Sequence, residues 1–445
     1  MSSKAIAPFA FILSLLAGQT LAGGGGNASD VVDDAKDFFE QDGVVVMEHD
    51  NWLQKALDLQ NKLDYKAPLA QASFVMTHNS YNSKAYTTGV AYIDPNQNIS
   101  IYDQLNAGVR SLEFDVHQYF SMHGWPWNWG NRLLLCHGQN NHLGCSSYDR
   151  RLESGFDEVR DWLNEPKNQK EVIVIYIEDH MDDNYRDAID IISSRIGDKI
   201  YRPSGIGCRG IPMNITKQSI IDAGKQVLLM GAGDVCTSNS GWDTWAFSGV
   251  GDRNGYPTGN VDTVTADNCD FGRDFYDRYW VRFYEDRTTI SALFGDPSTI
   301  NDEDVINISE CGATLIGFDK LNSDDSRLHA AVWSWDAGEP NNWNNSEDCA
   351  ISWGNNRWND ASCESRAQFA CQKPGTHEWY VTFGSGSWME GETICSQETG
   401  GQYSFAAPTN GFDNKKLRVA KQVRGASSAW IKYHDRNIEG HWEAN

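Results

Sequence analysis

The sequence predicts a mixed α/β protein in which a (β/α)8 barrel of the TIM type is followed by a smaller domain. The chain has 445 residues, more than one ordinary domain needs. Short apolar, strand-like runs alternate with amphipathic helical patterns between residues 72 and 318, which is typical of a parallel barrel. After residue 330 the composition changes to tryptophan, asparagine and cysteine, which marks the second domain.

The first 22 residues predict a signal peptide. Lys4 precedes an apolar run over residues 5–17, and Thr20-Leu21-Ala22 stands before four glycines, so we expect cleavage after Ala22. This run is short for a membrane span and no second long apolar run follows. The expected product is a soluble, secreted, extracellular protein without a transmembrane segment.

The charge and the cysteine content fit this compartment. A formal charge of −24 argues against nucleic-acid partners and against electrostatic attraction to anionic membranes. Ten cysteines in an exported chain predict disulfides. Glycosylation sequons, which would make the product a glycoprotein, begin at Asn27, Asn98, Asn214, Asn307 and Asn344.

Residues 23–66 predict an N-terminal extension, acidic at first and then helical. Trp52, Ala56, Leu57, Leu59 and Leu63 form one apolar stripe at helical spacing. The barrel is assigned to residues 67–330. Its strand-like runs cover residues 72–76, 109–116, 132–136, 172–177, 226–230, 280–284 and 314–318, with helical patterns at 156–163 and 185–196.

The second run carries two acidic residues within an apolar strand. The strand period of two places Glu113 and Asp115 on one face, where two buried carboxylates repel unless a cation lies between them. A divalent metal is the usual solution, and a solvated edge strand is the alternative. His78, Asn79, His137 and Glu178 also follow strand-like runs. Since the carboxyl ends of barrel strands share one rim, we expect these side chains to converge there.

These motifs resemble the X-domain of eukaryotic phosphoinositide-specific phospholipases C and the wider superfamily of barrel phosphodiesterases. The resemblance rests on Thr77-His78-Asn79-Ser80-Tyr81, Leu112-Glu113-Phe114-Asp115, Cys136-His137-Gly138 and Ile177-Glu178-Asp179-His180, in that order. It implies that Asn79, Glu113, Asp115 and Glu178 hold a calcium ion while His78 and His137 act on the phosphate. Magnesium is an alternative ion, because it accepts the same oxygen ligands.

The implied chemistry is hydrolysis of a phospholipid phosphodiester. The two imidazoles donate hydrogen bonds or a proton, and a carboxylate such as Glu113 takes the proton of the attacking hydroxyl. Arg282 and Lys320 are candidates for gripping an inositol phosphate, although no Y-region or regulatory membrane module is recognisable. Sphingomyelinase D and the glycerophosphodiester phosphodiesterases use a related barrel and represent the alternative activity.

Residues 331–445 resemble a C-type lectin domain, an α+β fold, with its two halves in reversed order. Glu339-Pro340-Asn341, Glu347-Asp348-Cys349 and Trp358 to Cys363 are similar to its C-terminal half, and Glu392-Thr393-Ile394-Cys395 to its N-terminal half. We infer a circular permutation. The resemblance implies bridges Cys349–Cys363 and Cys371–Cys395, a cis Pro340, and one calcium held by Glu339, Asn341, Glu347, Asn359 and Asp360, which would bind mannose-type glycans. A lectin-like fold with an idle ion site is the alternative.

Six further cysteines belong to the barrel. Cys136 and Cys145 bracket the loop that carries His137, so a bridge between them would make that loop more rigid, although both can also pair elsewhere. The pairing of Cys208, Cys236, Cys269 and Cys311 is open. A secreted glycan-binding protein whose barrel is only a scaffold remains the alternative from another functional class.

Overall fold

The computed structural model of the chain describes residues 51–86, 95–138, 141–203, 210–231, 241–248, 265, 283–286, 299–322 and 324–444. The predicted signal peptide, Arg282, and Cys208, Cys236 and Cys269 lie outside these ranges. Within them, no helix is both long enough and apolar enough to cross a membrane.

A curled parallel sheet forms the centre of the first domain. Its strands are β1 (Phe74–Thr77), β2 (Ser111–Ser121), β3 (Gly130–Leu135), β4 (Ile173–His180), β5 (Val227–Gly231), β6 (Ala246–Ser248), β7 (Phe283–Glu285) and β8 (Leu315–Phe318). They run in the order β6-β5-β4-β2-β1-β8-β7, with β3 paired to β2 outside this path. Because β1 pairs in parallel with both β2 and β8, the first and last strands meet, as in a TIM-type barrel.

Helices pack against the outside of this sheet, as the alternating sequence pattern predicts. They are α2 (Ile101–Asn106), α3 (Leu152–Leu163), α4 (Tyr185–Ile196), α5 (Lys217–Asp222), α6 (Asp302–Glu310) and α7 (Ser326–Ala331). On α3, the buried Phe156 meets Phe114 of β2 edge to face, with ring centroids 5.4 Å apart. Helix α6 begins at a capping box in which the Asn301 side chain accepts bonds from the Glu303 and Asp304 amides.

Strand β3 differs from the expectation that each strand-like run forms a parallel barrel strand. It pairs antiparallel to β2, from Ser121 opposite Gly130 to Val116 opposite Leu135. Hydrophobic periodicity does not reveal strand direction, so the sequence pattern could not distinguish the two arrangements. The chain therefore rises above the rim along β2 and returns along β3, which brings His137 to the rim from the solvent side.

The C-terminal domain has its own six-stranded sheet. Its strands are β9 (Cys349–Ser352), β10 (Trp358–Ala361), β11 (Gln368–Gln372), β12 (Trp379–Val381), β13 (Ser404–Phe405) and β14 (Ala429–His434), with helices α8 (Gly391–Thr399) and α9 (Gly411–Arg424). The bridges Cys349–Cys363 and Cys371–Cys395 are both present. Both helices follow the strands that carry the acidic motifs. This order supports the permutation, which stays a prediction.

Helix α1 (Asn51–Leu63) joins the two domains. The buried Gln60 donates to the carbonyl oxygen of Ala331 at 2.9 Å and accepts from the amide of Trp333 at 2.8 Å. At its start, the Trp52 indole donates to the carbonyl oxygen of Glu339 at 2.7 Å. The predicted N-terminal helix is therefore confirmed, and it also contacts the first loop of the lectin-like domain.

Candidate active site

Three carboxylates meet where the first half of β2 lies beside the carboxyl end of β4. Strand pairing sets Asp115 beside Glu178, and the period of two puts Glu113 on the same face as Asp115. One oxygen from each of the three lies within 4.8 Å of the others. Glu113 and Asp115 are each only 2% exposed, so their charges are poorly solvated. The set of hard oxygen donors fits Ca²⁺ or Mg²⁺.

Asn79 adds an amide to this group. It follows β1 with a positive φ of 46°, and its backbone amide donates to Glu113 Oε2 at 3.0 Å. Its side-chain oxygen faces the Asp115 carboxylate and accepts a bond from the Tyr81 hydroxyl at 3.0 Å. If the Asn79 side-chain amide is rotated by a half-turn, its nitrogen donates to Asp115 Oδ2 at 2.8 Å instead. Asn79 therefore offers either an oxygen to a cation or a proton to Asp115.

His78 lies between this group and a second set of acids. Its Nδ1 is 3.0 Å from Asp319 Oδ1, and its Nε2 lies 4.0 Å from both Glu113 Oε2 and Glu285 Oε2. Burial opposes protonation, but the charges of Asp319, Glu113 and Glu285 raise the pKa of His78 well above its usual 6.5. These charges favour the protonated imidazolium, whose Nδ1–H is held by Asp319 and whose Nε2 lies 3.0 Å from the side-chain amide of Asn79.

His137 faces His78 across the rim. The planes of the two rings meet at 76°, close to perpendicular, and the ring centroids are 6.4 Å apart. His137 is exposed, whereas His78 is buried. The loop that carries His137 is closed by the Cys136–Cys145 bridge, which the structure contains. At this separation, the imidazoles of His78 and His137 can both contact one phosphate group placed between them.

The carboxylates are electrostatically unfavourable without a cation. Burial, together with the charges of Glu285 and Glu178, raises the pKa of Glu113 to about 8, although His78 opposes the shift. Burial and the charges of Glu178 and Glu113 raise the pKa of Asp115 well above its usual 3.8. Burial also acts on Glu178, but the hydrogen bond and charge of His180 lower its pKa. A bound cation would replace the protons that this cluster otherwise holds.

The lectin-like domain gathers its own acidic residues around Asp360. The carboxylate of Asp360 accepts bonds from the amides of Asn341 at 3.0 Å and Asn342 at 2.6 Å. The Asn341 side chain donates to Glu339 Oε1 at 2.8 Å, and the Glu339–Pro340 peptide is cis. Burial and the neighbouring Asp360 raise the pKa of Glu339 to about 8.

Glu347 and Asn359, the other two predicted lectin-site residues, make hydrogen bonds to neighbouring backbone groups. Glu347 accepts from the Trp343 amide at 3.0 Å, and the Asn359 amide group donates to the carbonyl oxygen of Asp360. Within the described residues, the three acids of this site are not united within the 4.8 Å that holds the barrel carboxylates together. The barrel site is thus the more nearly complete cation site.

Sequence reasoning missed two acids beside His78. Asp319 follows β8 directly and Glu285 ends β7, so the rule that located the other residues, polar side chains at strand ends, applies to both. Of the two basic candidates, Lys320 donates through Nζ to the carbonyl oxygen of Pro95, and Arg282 lies outside the described residues.

Comparison with known proteins matches this barrel to a family. Residues 45–325, more than half of the chain, match the model described as the Rv2075c PI-PLC-like domain. The chain belongs to this PI-PLC-like family. Residues 317–373 match the model of the lectin C-type domain, so a C-type lectin domain follows the PI-PLC-like barrel.

Three individual proteins are similar to parts of this chain. The chain is 29% identical over 408 residues to protein Rv2075c of Mycobacterium tuberculosis, an alignment that spans 86% of this chain and 80% of that protein. It is 45% identical over 51 residues to the hepatic lectin of Gallus gallus, or 12% of this chain and 25% of the lectin. The phosphatidylinositol-specific phospholipase C from Listeria monocytogenes is 18% identical, with a TM-score of 0.38, over 63% of this chain and 97% of that structure.

Proposed function

We propose that the PI-PLC-like barrel is a calcium-dependent phosphodiesterase of the phospholipase C type that cleaves a phosphatidylinositol-type lipid. The observation that carries this proposal is the gathering of the Glu113, Asp115 and Glu178 oxygens within 4.8 Å beside two imidazoles. Asn79 completes the oxygen set. Calcium held there would stabilise charge on the phosphoryl group and lower the pKa of the attacking hydroxyl.

Glu113, His78 and His137 would each handle a different proton in the reaction. The inositol 2-hydroxyl attacks phosphorus, the phosphorus–oxygen bond to the diacylglycerol breaks, and a cyclic inositol phosphate forms. Glu113 accepts the proton of the hydroxyl. His78, held protonated by Asp319, donates Nε2–H to a phosphate oxygen, and His137, exposed at the mouth, protonates the leaving alkoxide.

The lectin domain supplies a second binding function. Glu339, Asn341, Glu347, Asn359 and Asp360 would hold a further calcium ion and mannose-type glycans, which tethers the barrel to glycosylated surfaces and raises the local substrate concentration. The predicted signal peptide and the bridges Cys136–Cys145, Cys349–Cys363 and Cys371–Cys395 support secretion to the extracellular space. A glycan-binding protein with an inactive barrel is the second candidate, favoured only by the C-type lectin match.

Metal-dependent turnover tests the enzymatic proposal. We expect the secreted protein to hydrolyse phosphatidylinositol in calcium and to lose this activity in chelator. Glu113→Gln keeps the shape of the side chain but removes one charge from the cation site, so we expect activity to fall by at least about a hundredfold.

Asp182→Asn is the matched control for that variant. Asp182 is an exposed carboxylate that follows β4 and pairs with His142 at 3.0 Å rather than with Glu113, Asp115 or Glu178. It should retain full activity. If wild-type protein cleaves no diester while its calcium-dependent mannan binding is intact, the inactive-barrel candidate is favoured; equal turnover by wild-type protein and Glu113→Gln would contradict the proposed cation site.

A further inference from the structure

The hairpin between β2 and β3 exposes a cluster of aromatic side chains. Trp127 is 77% exposed, Trp125 67%, Phe120 45% and Trp129 43%. The rings of Trp125 and Trp127 stack on one another, with centroids 5.2 Å apart and planes within 2°. An apolar cluster of this kind on a soluble surface marks an interaction site.

The tip of this hairpin is an ordered structure. Pro126 begins a short 3-10 helix, and the Asn128 amide donates to the carbonyl oxygen of Trp125 at 2.8 Å. At the base of the tip, the His123 imidazole donates to the carbonyl oxygen of Asp149 at 2.7 Å, and Arg151 donates to the carbonyl oxygen of His123 at 3.1 Å. The exposed indoles are therefore held in place, which lowers the entropic cost of binding.

The hairpin rises directly from the candidate active site. Glu113 and Asp115 lie at the base of β2, whose pairing with β4 ends where His117 meets His180. Residues 118–121 of β2 then pair only with β3. Four strand residues span roughly 13 Å, so the aromatic tip stands about that far beyond the rim.

The charge of this segment differs from that of the rest of the chain. No aspartate or glutamate occurs between Asp115 and Asp149, although the protein contains 61 acidic residues and has a formal charge of −24. Arg132 and His123 are the charged or titratable side chains near the tip. A segment without acidic side chains meets less repulsion from phosphate headgroups than the acidic remainder of the chain.

We propose that this hairpin, Phe120 with Trp125, Trp127 and Trp129, docks the barrel onto a phospholipid membrane. The inference rests on the proposed function, and it explains how the candidate active site of the barrel is brought to a lipid substrate in a bilayer. Indoles favour the boundary between headgroups and acyl chains, and interfacial elements sink roughly 5–10 Å into it. Insertion of a tip that stands about 13 Å above the rim brings the rim to headgroup level.

Vesicle sedimentation of the full secreted chain tests the proposal. Trp125→Ala/Trp127→Ala is compared with wild-type protein and with Trp353→Ala, which removes an indole 42% exposed on the lectin domain. The probe is vesicles of phosphatidylcholine and phosphatidylinositol, without glycans, and each protein is also assayed with monomeric dihexanoyl phosphatidylinositol. Thermal unfolding confirms that each variant is folded.

We expect the double variant to bind vesicles at least about tenfold more weakly, while Trp353→Ala binds as wild type. Hydrolysis of vesicle lipid should fall in parallel, and turnover of the monomeric diester should stay unchanged. Unchanged vesicle binding by the double variant overturns the proposal. If the double variant binds vesicles normally but is no longer retained on mannan, the indoles bind glycans and the proposal is also overturned. If no diester is cleaved by any of the three proteins, the proposed function fails, whereas the sedimentation result still decides the docking surface.

Discussion

Asp319→Asn probes the electrostatic support of His78. Asp319 Oδ1 lies 3.0 Å from His78 Nδ1 and also accepts from Asn96 Nδ2 at 3.0 Å. The substitution preserves side-chain volume but removes the negative charge. A hydrogen bond between charged groups contributes roughly 1.5–3 kcal/mol, and since about 1.4 kcal/mol is one factor of ten, we expect kcat to fall roughly 10- to 150-fold.

The pH profile separates this effect from simple damage to the fold. The charge of Asp319 is the largest influence that raises the pKa of His78, against the effect of burial. Without it, His78 loses its proton at lower pH, so the alkaline limb of the kcat profile shifts toward acid and part of the activity returns below neutrality. Measurement of kcat across pH with a soluble diester tests this shift.

Asp179→Asn is the control for that experiment. Asp179 lies at the same rim, but its carboxylate accepts from the Tyr185 hydroxyl at 2.8 Å rather than facing His78. The profile of this variant should match that of wild-type protein. A uniform loss of activity in Asp319→Asn, with the alkaline limb unmoved, would refute the view that His78 acts as a protonated group held by Asp319.

Three further predictions concern the cation site, the loop and the fold. In chelator, thermal stability should fall as pH rises from about 4.5 to about 8, because Glu113 in the folded protein keeps a proton that the unfolded chain has lost. Calcium should restore stability most at the alkaline end of this range, and an equal effect of calcium at both ends would contradict the prediction. Cys136→Ser/Cys145→Ser should lower kcat while the chelator-sensitive transition persists, because the bridge holds the loop of His137; unaltered kcat would show that the loop needs no bridge. Arg110→Met should lower the free energy of unfolding in urea by roughly 3–5 kcal/mol, because buried Arg110 pairs with Glu171 at 2.8 Å, and unchanged stability would mean that the pair is dispensable.

The acidic residues of the candidate site were predictable because their spacing in the sequence places them on one strand face. Glu113 and Asp115 alternate within an apolar strand, which fixes their shared face, and parallel pairing with β4 then delivers Glu178 to the same place. The roles assigned to them from the family resemblance stay predictions. Asp319 could have been inferred from its position at the end of the last strand, but a single aspartate there carries no motif.

Strand direction and surface exposure were beyond the sequence. The apolar run at residues 132–136 fits a parallel or an antiparallel strand equally well, so the hairpin that exposes Trp125 and Trp127 to solvent could not be foreseen. Tryptophans in an aromatic-rich chain are usually buried, as Trp162, Trp335 and Trp358 are here. Long-range pairing decides which of them reach the surface.

Product analysis by phosphorus NMR tests the central claim most directly. The purified protein is incubated with phosphatidylinositol, sphingomyelin or lysophosphatidylcholine in calcium, in magnesium and in chelator. The arrangement of His78, His137 and the three carboxylates predicts metal-dependent release of inositol phosphate, cyclic first, from phosphatidylinositol alone. A cyclic lipid phosphate from sphingomyelin or lysophosphatidylcholine would assign the barrel to sphingomyelinase D-like chemistry, and no turnover of any diester would contradict the enzymatic account.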